Sequence, residues 1–483
     1  MIGDLALCNN APSAQIKPQE WPQIGAFSLS TVQFTSLGGV GEVGASAHLL
    51  HIDGLDILLD CGLHPKKDGL DSLPEFSRLR RAPDAVVVSH AHHDHCGSLP
   101  YFLREYPSTV PYAPVATVSI MDRMLHNSVA VMGKLKEEKG IPEYPLYEHR
   151  DVENAVRRTY GIEMYQPFGL TPKSPVRVTF YPAGHVLGSA SIHIASPEHS
   201  VFYTSDICTS DQMLMQGFAL PPNARNVDTL IIESTYGANE EADTVSYDAE
   251  IQRFGSDMAR ILDDGGTVLV PSFALGRAQE MLNIVADMQH TGVLPDVPVY
   301  ASGLGRAVYE IYHQHRDQLR PGATLVPLSA FDTVGDVWNP DVAGRLIESP
   351  CIIVATSGMM IENTPSAMIA QALVRHPHHA IFFVGYCDPD TLGHLVKHAQ
   401  PGDALRFERG AAPVTINTKN IASYQFSAHA PRKDLKMIAD QFEVKNMIFV
   451  HGDPPALDWM HEHCGNGSLK YTPAIGETIR LEG

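Results

Sequence analysis

Residues 88–100 read VSHAHHDHCGSLP. His90, His92, His93, Asp94 and His95 fall within six positions, directly after a run of valines. Imidazoles crowded in this way gain nothing from hydrophobic burial. They suit a cation held among them, because each neutral ring offers a lone pair. Imidazole nitrogen with carboxylate oxygen is a donor set for Zn, with Mn or Fe as alternatives. In the pattern HxHxDH a tight turn brings His90, His92, Asp94 and His95 together, and His93 is expected to point elsewhere. One loop cannot complete such a site. His185 ends VTFYPAGH, Asp206 ends VFYTSD and His451 ends MIFVH. A lone histidine at a strand end is more often structural. Three polar residues that each close an apolar strand before a turn point instead to ligands.

The elements that must position these residues follow from the apolar pattern. LSTVQFTSLG, SAHLLHI and LDILLDCG read as strands separated by glycines, in the manner of a β-meander. DAVVVSH is a short strand rich in β-branched residues, of the kind buried on both faces. It delivers His90 to its C-terminal end, where α/β sheets place ligands. Residues 115–165 read as helical. Strand patterns return at VRVTFYPAGH, ASIHIAS, VFYTSDI and TLIIEST. From about residue 238, helical stretches alternate with TVLVPS, PVYAS, CIIVATSG and AIFFVGY, which signals βαβ units and a parallel sheet. After about residue 422 come SYQFSAH, a helix PRKDLKMIADQF and a strand NMIFVHGD.

The 483 residues are enough for two or three domains. A net charge of −20 speaks against a broadly basic surface that grips duplex DNA. It leaves room for a nucleic-acid enzyme whose positive charge is confined to a cleft or supplied by metal ions. The seven cysteines form no CxxC pair, which fits a reducing compartment and packing roles. The opening MIGDLALCNN places Cys8 after LAL, but it lacks a basic leader and a small residue before the cysteine. No lipoprotein signal and no membrane span are expected, and the protein is expected to be cytoplasmic.

Taken together, these motifs resemble a known family. LLDCG with Asp60, SHAHHDHCGSLP, GHVLGSA with His185 and YTSDI with Asp206 are similar to the motifs of the metallo-β-lactamase fold. IIESTYG with Glu233, FSAH with His429 and VHGD with His451 resemble the additional motifs of the β-CASP nucleases. That group includes the cleavage and polyadenylation endonuclease and bacterial and archaeal RNA-processing relatives. PSFALGRAQE, ATSGMM and TLGHLV resemble its inserted domain.

The resemblance implies an α/β protein: an αββα metallo-β-lactamase sandwich with an inserted β-CASP α/β domain, its parallel sheet flanked by helices. The expected divisions are a tail at 1–26, the first part of the sandwich at 27–237, the β-CASP domain at 238–422 and the returning part at 423–483. One metal would take His90, His92, His185 and Asp206. The second would take Asp94, His95, His451 and Asp206 as a bridge. Asp60 and Glu233 would fix imidazole orientation, the alternative being ordinary strand-end capping.

Two divalent ions outweigh the charge of Asp94, Asp206 and one hydroxide. A net positive centre in an acidic protein attracts an anion such as a phosphodiester. The implied reaction is two-metal hydrolysis of single-stranded RNA, with a bridging hydroxide as nucleophile and His429 assisting the leaving group. His429 is otherwise a structural histidine at a helix start. His451 implies RNA over DNA, since DNA-directed relatives usually carry valine there. Alternatives are a single-stranded DNA or dual nuclease, a small-molecule hydrolase on the same fold, and a non-catalytic subunit. The expected partner is RNA, with no membrane; a homodimer and an accessory protein for substrate choice fit the same reading.

Substrate contacts are expected from Arg277, Ser357, Gly358 and His394. Arg277 has an ion pair with Glu280 or another carboxylate as its alternative role. The chain departs from the family pattern at Pro431, where an acidic residue is usual, at His394, where arginine is usual, and at MIENTP after SGM. These departures bear on substrate identity and leave the hydrolytic core intact.

Overall fold

The strands on either side of the histidine loop build two sheets, because their apolar residues can be buried only face to face. In the computed structural model, which describes residues 32–482 apart from 173 and 466, the first sheet runs Thr478–Arg480, Gln33–Gly38, Ala47–Ile52, Leu55–Leu59, Ala85–Val87, Val110–Pro114, Tyr160–Ile162. The second runs Leu469–Tyr471, Asn446–Val450, Thr229–Glu233, Ser200–Tyr203, Ala190–Ala195, Arg177–Pro182, Phe168–Gly169. The expected tail at 1–26 lies outside the described residues.

Phe34, Leu50, Ile57 and Val87 of the first sheet share one core with Phe180, Ile192, Phe202, Ile231 and Phe449 of the second. The outer face of the first sheet packs Leu58 and Val86 against Phe102 and the long helix Val115–Lys139. Helices Arg432–Gln441 and Pro454–His463 cover the second sheet through Leu435, Ile438, Leu457 and Met460. The result is an αββα sandwich. A third sheet, Asp332–Thr333, Val299–Ala301, Ile352–Ala355, Val268–Pro271, Ala380–Phe383, Asn420–Ser423, is parallel throughout. Val268, Val270 and Phe382 point to helices Tyr247–Asp263 and Arg277–His290 on one face. Leu269, Ile353 and Phe383 point to helices Pro365–Leu373 and Leu392–His398 on the other. This inserted unit is a doubly covered parallel sheet, so its strands read as continuous apolar runs.

One local expectation fails. Residues 115–165 are not helical throughout: after Val115–Lys139 and His149–Arg158 the chain forms strand Tyr160–Ile162. Three residues carry no period of their own. Parallel pairing with Val110–Pro114 fixes them, with Tyr160 stacked on Tyr112 at 5.5 Å. Among the described residues no helix is long and apolar enough to cross a membrane.

Candidate metal centre

The topology explains why distant residues meet. Leu55–Leu59 and Ala85–Val87 run parallel in the first sheet; Ser200–Tyr203, Thr229–Glu233 and Asn446–Val450 run parallel in the second. Their C-terminal ends present Asp60, His90, Asp206, Glu233 and His451. The turns there are tight: Asp60, Ser205 and His451 take φ of +60°, +52° and +52°, which non-glycine residues adopt at a cost. Gly62 lets the backbone pass the histidine loop, since a Cβ there would stand 1.7 Å from the carbonyl oxygen of Asp94.

Two donor groups result. His90, His92, His185 and Asp206 form the first; Asp94, His95 and His451 form the second. His92 Nδ1 lies 3.1 Å from His90 Nε2 and 3.0 Å from His185 Nε2. Asp206 Oδ2 lies 3.7 Å from His90 Nε2, 3.8 Å from His185 Nε2 and 3.3 Å from His95 Nε2. His451 places Nε2 3.3 Å from Asp94 Oδ2 and Nδ1 3.2 Å from Asp206 Oδ1. Donors ~2.1 Å from a tetrahedral ion stand about 3.4 Å apart, so these spacings fit a metal. Hydrogen bonding alone does not explain them. A ring nitrogen carries at most one proton, and three nitrogens converge at His92. His95 Nε2 and Asp206 Oδ1 are buried without a hydrogen-bond partner.

The outward-facing ring nitrogens are held by the protein. Asp60 Oδ2 accepts from His95 Nδ1 at 2.8 Å, and Asp60 is itself fixed by Ser89 N–H (2.7 Å), Ser89 Oγ (2.9 Å) and Tyr203 OH (2.8 Å). His185 Nδ1 donates to the Ala428 carbonyl at 2.7 Å. Each bond fixes a tautomer with Nε2 free to ligate. Asp60→Asn leaves shape but turns an amide toward these donors; zinc titration is expected to show 10–100-fold weaker binding. Glu233 faces a different imidazole. Its Oε2 lies 3.2 Å from His429 Nδ1, and its Oε1 accepts Ile207 N–H at 2.6 Å. Asp206, Glu233 and His429 form a third potential donor group.

Burial keeps His90 and His185 well below the usual imidazole range, hence neutral and ready to ligate. For His95 burial acts the same way, but Asp206, Asp60 and Asp94 outweigh it and raise its pKa well above the usual value. A proton and a cation therefore compete for His95 Nε2. His429 is also raised, to about 9, where burial is outweighed first by Glu233 and then by Asp206 and Asp94.

His93 turns away, its Nε2 3.4 Å from Ser128 Oγ. Arg277 is only 6% exposed; its Nη2 reaches Gln212 Oε1 at 3.5 Å and its Nη1 has no partner. Glu280 does not take up that cation. It accepts the N–H groups of Met213 (2.8 Å) and Leu214 (2.9 Å). Ser357, Gly358 and His394 sit at the C-terminal edge of the third sheet, where Gly358 packs on Phe273 and Gly393 N–H bonds the Met359 carbonyl. The structure does not draw them into the histidine cluster. Sequence reasoning missed Ser89, Tyr203, Thr235 and Gln212. Gln212 Nε2 donates to the carbonyls of Gly184 (2.8 Å) and His185 (3.1 Å), and Thr235 Oγ1 lies 3.1 Å from His451 Nδ1. Only the nearness of Ser89 and Thr235 to ligand motifs could have flagged them.

Comparison with known proteins places this geometry. Residues 49–235 match the metallo-beta-lactamase superfamily domain, 278–396 the Beta-Casp domain, and 413–470 the Zn-dependent metallo-hydrolase RNA specificity domain. Transcription termination factor FttA of Methanocaldococcus jannaschii is 30% identical over 87% of this chain and 67% of its own length. The RNase J-like protein of the same organism is 27% identical over 86% of this chain and 91% of its own. Cleavage and polyadenylation specificity factor 73 of Drosophila melanogaster is 29% identical over 87% of this chain and 60% of its own. With a divalent-metal fold, a matching inserted domain and relatives aligned along most of its length, the chain belongs to the β-CASP family of metallo-β-lactamase-fold nucleases.

Proposed function

We propose that the protein is a two-metal ribonuclease acting on single-stranded RNA, in processing or decay, in the cytoplasm. The observation that carries this reading is the pair of donor groups meeting at Asp206. His90, His92, His185 and Asp206 would hold one ion, and Asp94, His95, His451 and Asp206 the other, most simply Zn. Bound there, two divalent ions supply the Lewis acidity that activates water and neutralises a phosphodiester. The protein's own groups do the rest. Asp60 and the Ala428 carbonyl hold the tautomers of His95 and His185. His429, 22% exposed at its side chain, keeps Nδ1 on Glu233 and turns Nε2 toward the site, 4.0 Å from Asp206 Oδ2. Glu233 holds a proton on this imidazole near neutral pH, so His429 acts as the acid toward the leaving 3′-oxygen.

We assign 27–237 and 423–483 to the metal-holding lobe and 238–422 to the inserted lobe. Substrate choice would come from the surface around the donor groups or from an accessory protein, and a homodimer is compatible with this arrangement. The match to an RNA specificity domain at 413–470 and the RNA-processing names of the relatives support RNA as substrate. The test is incubation of metal-loaded protein with 5′-labelled single-stranded RNA and the matching DNA, each with monophosphate or hydroxyl ends. RNA is expected to be shortened, DNA to persist, and Asp94→Ala to be inert. Equal cutting of both strands would make it a dual nuclease. Failure on both would return the choice to a small-molecule hydrolase.

A further inference from the structure

The segment that follows Asp60 is tied to the histidine loop. Cys61 N–H donates to the His95 carbonyl at 2.7 Å and Leu63 N–H to the His93 carbonyl at 2.9 Å. Three residues on, Lys66 Nζ crosses to the inserted unit and pairs with the Asp388 carboxylate. Asp388 lies in the turn after strand Ala380–Phe383, on the C-terminal edge of the third sheet where parallel sheets bind ligands. Its side chain is 6% exposed, whereas that of Lys66 is 54% exposed. Tyr386 OH donates to Asp388 Oδ2 at 3.3 Å, yet Tyr386 is 56% exposed. Asp453, two residues beyond His451, acts electrostatically on both Lys66 and Tyr386. An open aromatic face and a cation therefore stand together beside a metal-ligating turn, in a protein of net charge −20.

Held by its hydroxyl and half exposed, Tyr386 leaves a ring face open to a ligand. Its hydroxyl is tethered, so its orientation is set before anything binds. Aromatic faces stack nucleobases without regard to sequence, and lysine is a compact charge suited to a phosphate oxygen. We propose that Tyr386 stacks a base of the substrate strand near the scissile phosphate, and that Lys66 takes the adjoining phosphate in exchange for the Asp388 carboxylate. The proposal deepens the single-strand reading of the site and rests on it. Asp388 then competes with the substrate for Lys66, as well as holding the phenol.

The test uses the metal-loaded full chain, single-stranded RNA for kinetics, and for binding by fluorescence anisotropy a strand in which methylene replaces each bridging 3′-oxygen, so that no leaving group remains. Tyr386→Leu is expected to raise KM and weaken binding about tenfold, with kcat nearly unchanged. Tyr386→Phe and Tyr386→Trp keep the ring and should retain most of the binding that Tyr386→Leu loses, the small remaining loss reporting the missing tether to Asp388. Lys66→Gln should weaken binding severalfold and reduce the salt slope by about 0.7. Asp388→Asn frees Lys66 and should tighten binding. Wild-type binding by Tyr386→Leu, or a Phe variant as impaired as the Leu variant, would overturn the stacking role. Weaker binding by Asp388→Asn would overturn the exchange. If wild type does not cleave RNA, the substrate reading fails, while the binding series still decides the role of Tyr386.

Discussion

Asp206→Ala is expected to leave less than one tightly held metal per chain and to lower phosphodiester hydrolysis by about 10³-fold. The effect is large because this carboxylate faces both donor groups. Oδ2 approaches the Nε2 atoms of His90, His95 and His185 at 3.7, 3.3 and 3.8 Å, while Oδ1 approaches His451 Nδ1 at 3.2 Å. The neighbouring imidazoles hold its pKa well below the usual carboxylate range against the opposing effect of burial, so it is an anion throughout the neutral range. Alanine leaves those imidazoles with no shared negative charge, and two cations brought together there would repel each other unscreened. Asp206→Asn separates charge from shape: it should fold like wild type and still lose most of its metal. Elemental analysis reads the stoichiometry. Added zinc should raise the melting temperature of wild type and not of the Ala variant, since only a ligand that prefers the folded state stabilises it. An Asp206→Ala protein with full metal and full activity would remove the shared carboxylate from the scheme.

The part of this site that was legible in the sequence is the part that recurs as strand, polar residue, turn. His90, His185, Asp206 and His451 each close an apolar run, so the pattern that predicts the strand also predicts where its last side chain stands. The fold class follows from the same reading, because alternating helices and short apolar strands after residue 238 admit a parallel sheet and little else. What the sequence cannot express is which side chains meet across it. Tyr203 and Asp60 are 143 positions apart and touch only because the two sheets stack. Gln212 lies in a loop with no periodicity, and its bonds to the carbonyls of Gly184 and His185 depend on tertiary placement.

Arg277 shows what a local reading leaves open. Its position at the start of a helix after a strand reads as an anion site. At 6% exposure, beside Gln212, its guanidinium lies under the chain that carries His185. Helix-start logic gives the direction of a side chain relative to its own element and says nothing of what is stacked above it. Glu280, one turn on, is also buried, and burial raises its pKa above the usual carboxylate range while Arg277 opposes the shift. The two therefore act on each other through the interior without forming the direct pair that their spacing suggests.

His429→Ala is expected to slow RNA hydrolysis by about 10²-fold or more while metal content stays at the wild-type level. Glu233 holds this imidazole more closely than Asp206 does. Glu233 Oε2 lies 3.2 Å from Nδ1, whereas the nearest Asp206 oxygen is 4.0 Å from Nε2. With Nδ1–H on Glu233 and its pKa raised to about 9, the ring near neutral pH is an imidazolium whose second proton sits on Nε2, facing the site. The competing arrangement, in which Asp206, Glu233 and His429 together hold an ion, would need that proton gone. Metal analysis separates the two: loss of an ion from His429→Ala would make the residue a ligand. Glu233→Gln supplies the second discriminant. As an acid's anchor, Glu233 raises the His429 pKa, so the Gln variant should bring the alkaline fall of kcat to lower pH with metal retained. A structural role for His429 would instead lower stability and leave the position of that limb unmoved. A substrate whose leaving group needs no proton, such as a p-nitrophenyl ester of a nucleotide, should recover most of the lost rate in His429→Ala, because protonation of the departing oxygen is the one step it makes unnecessary.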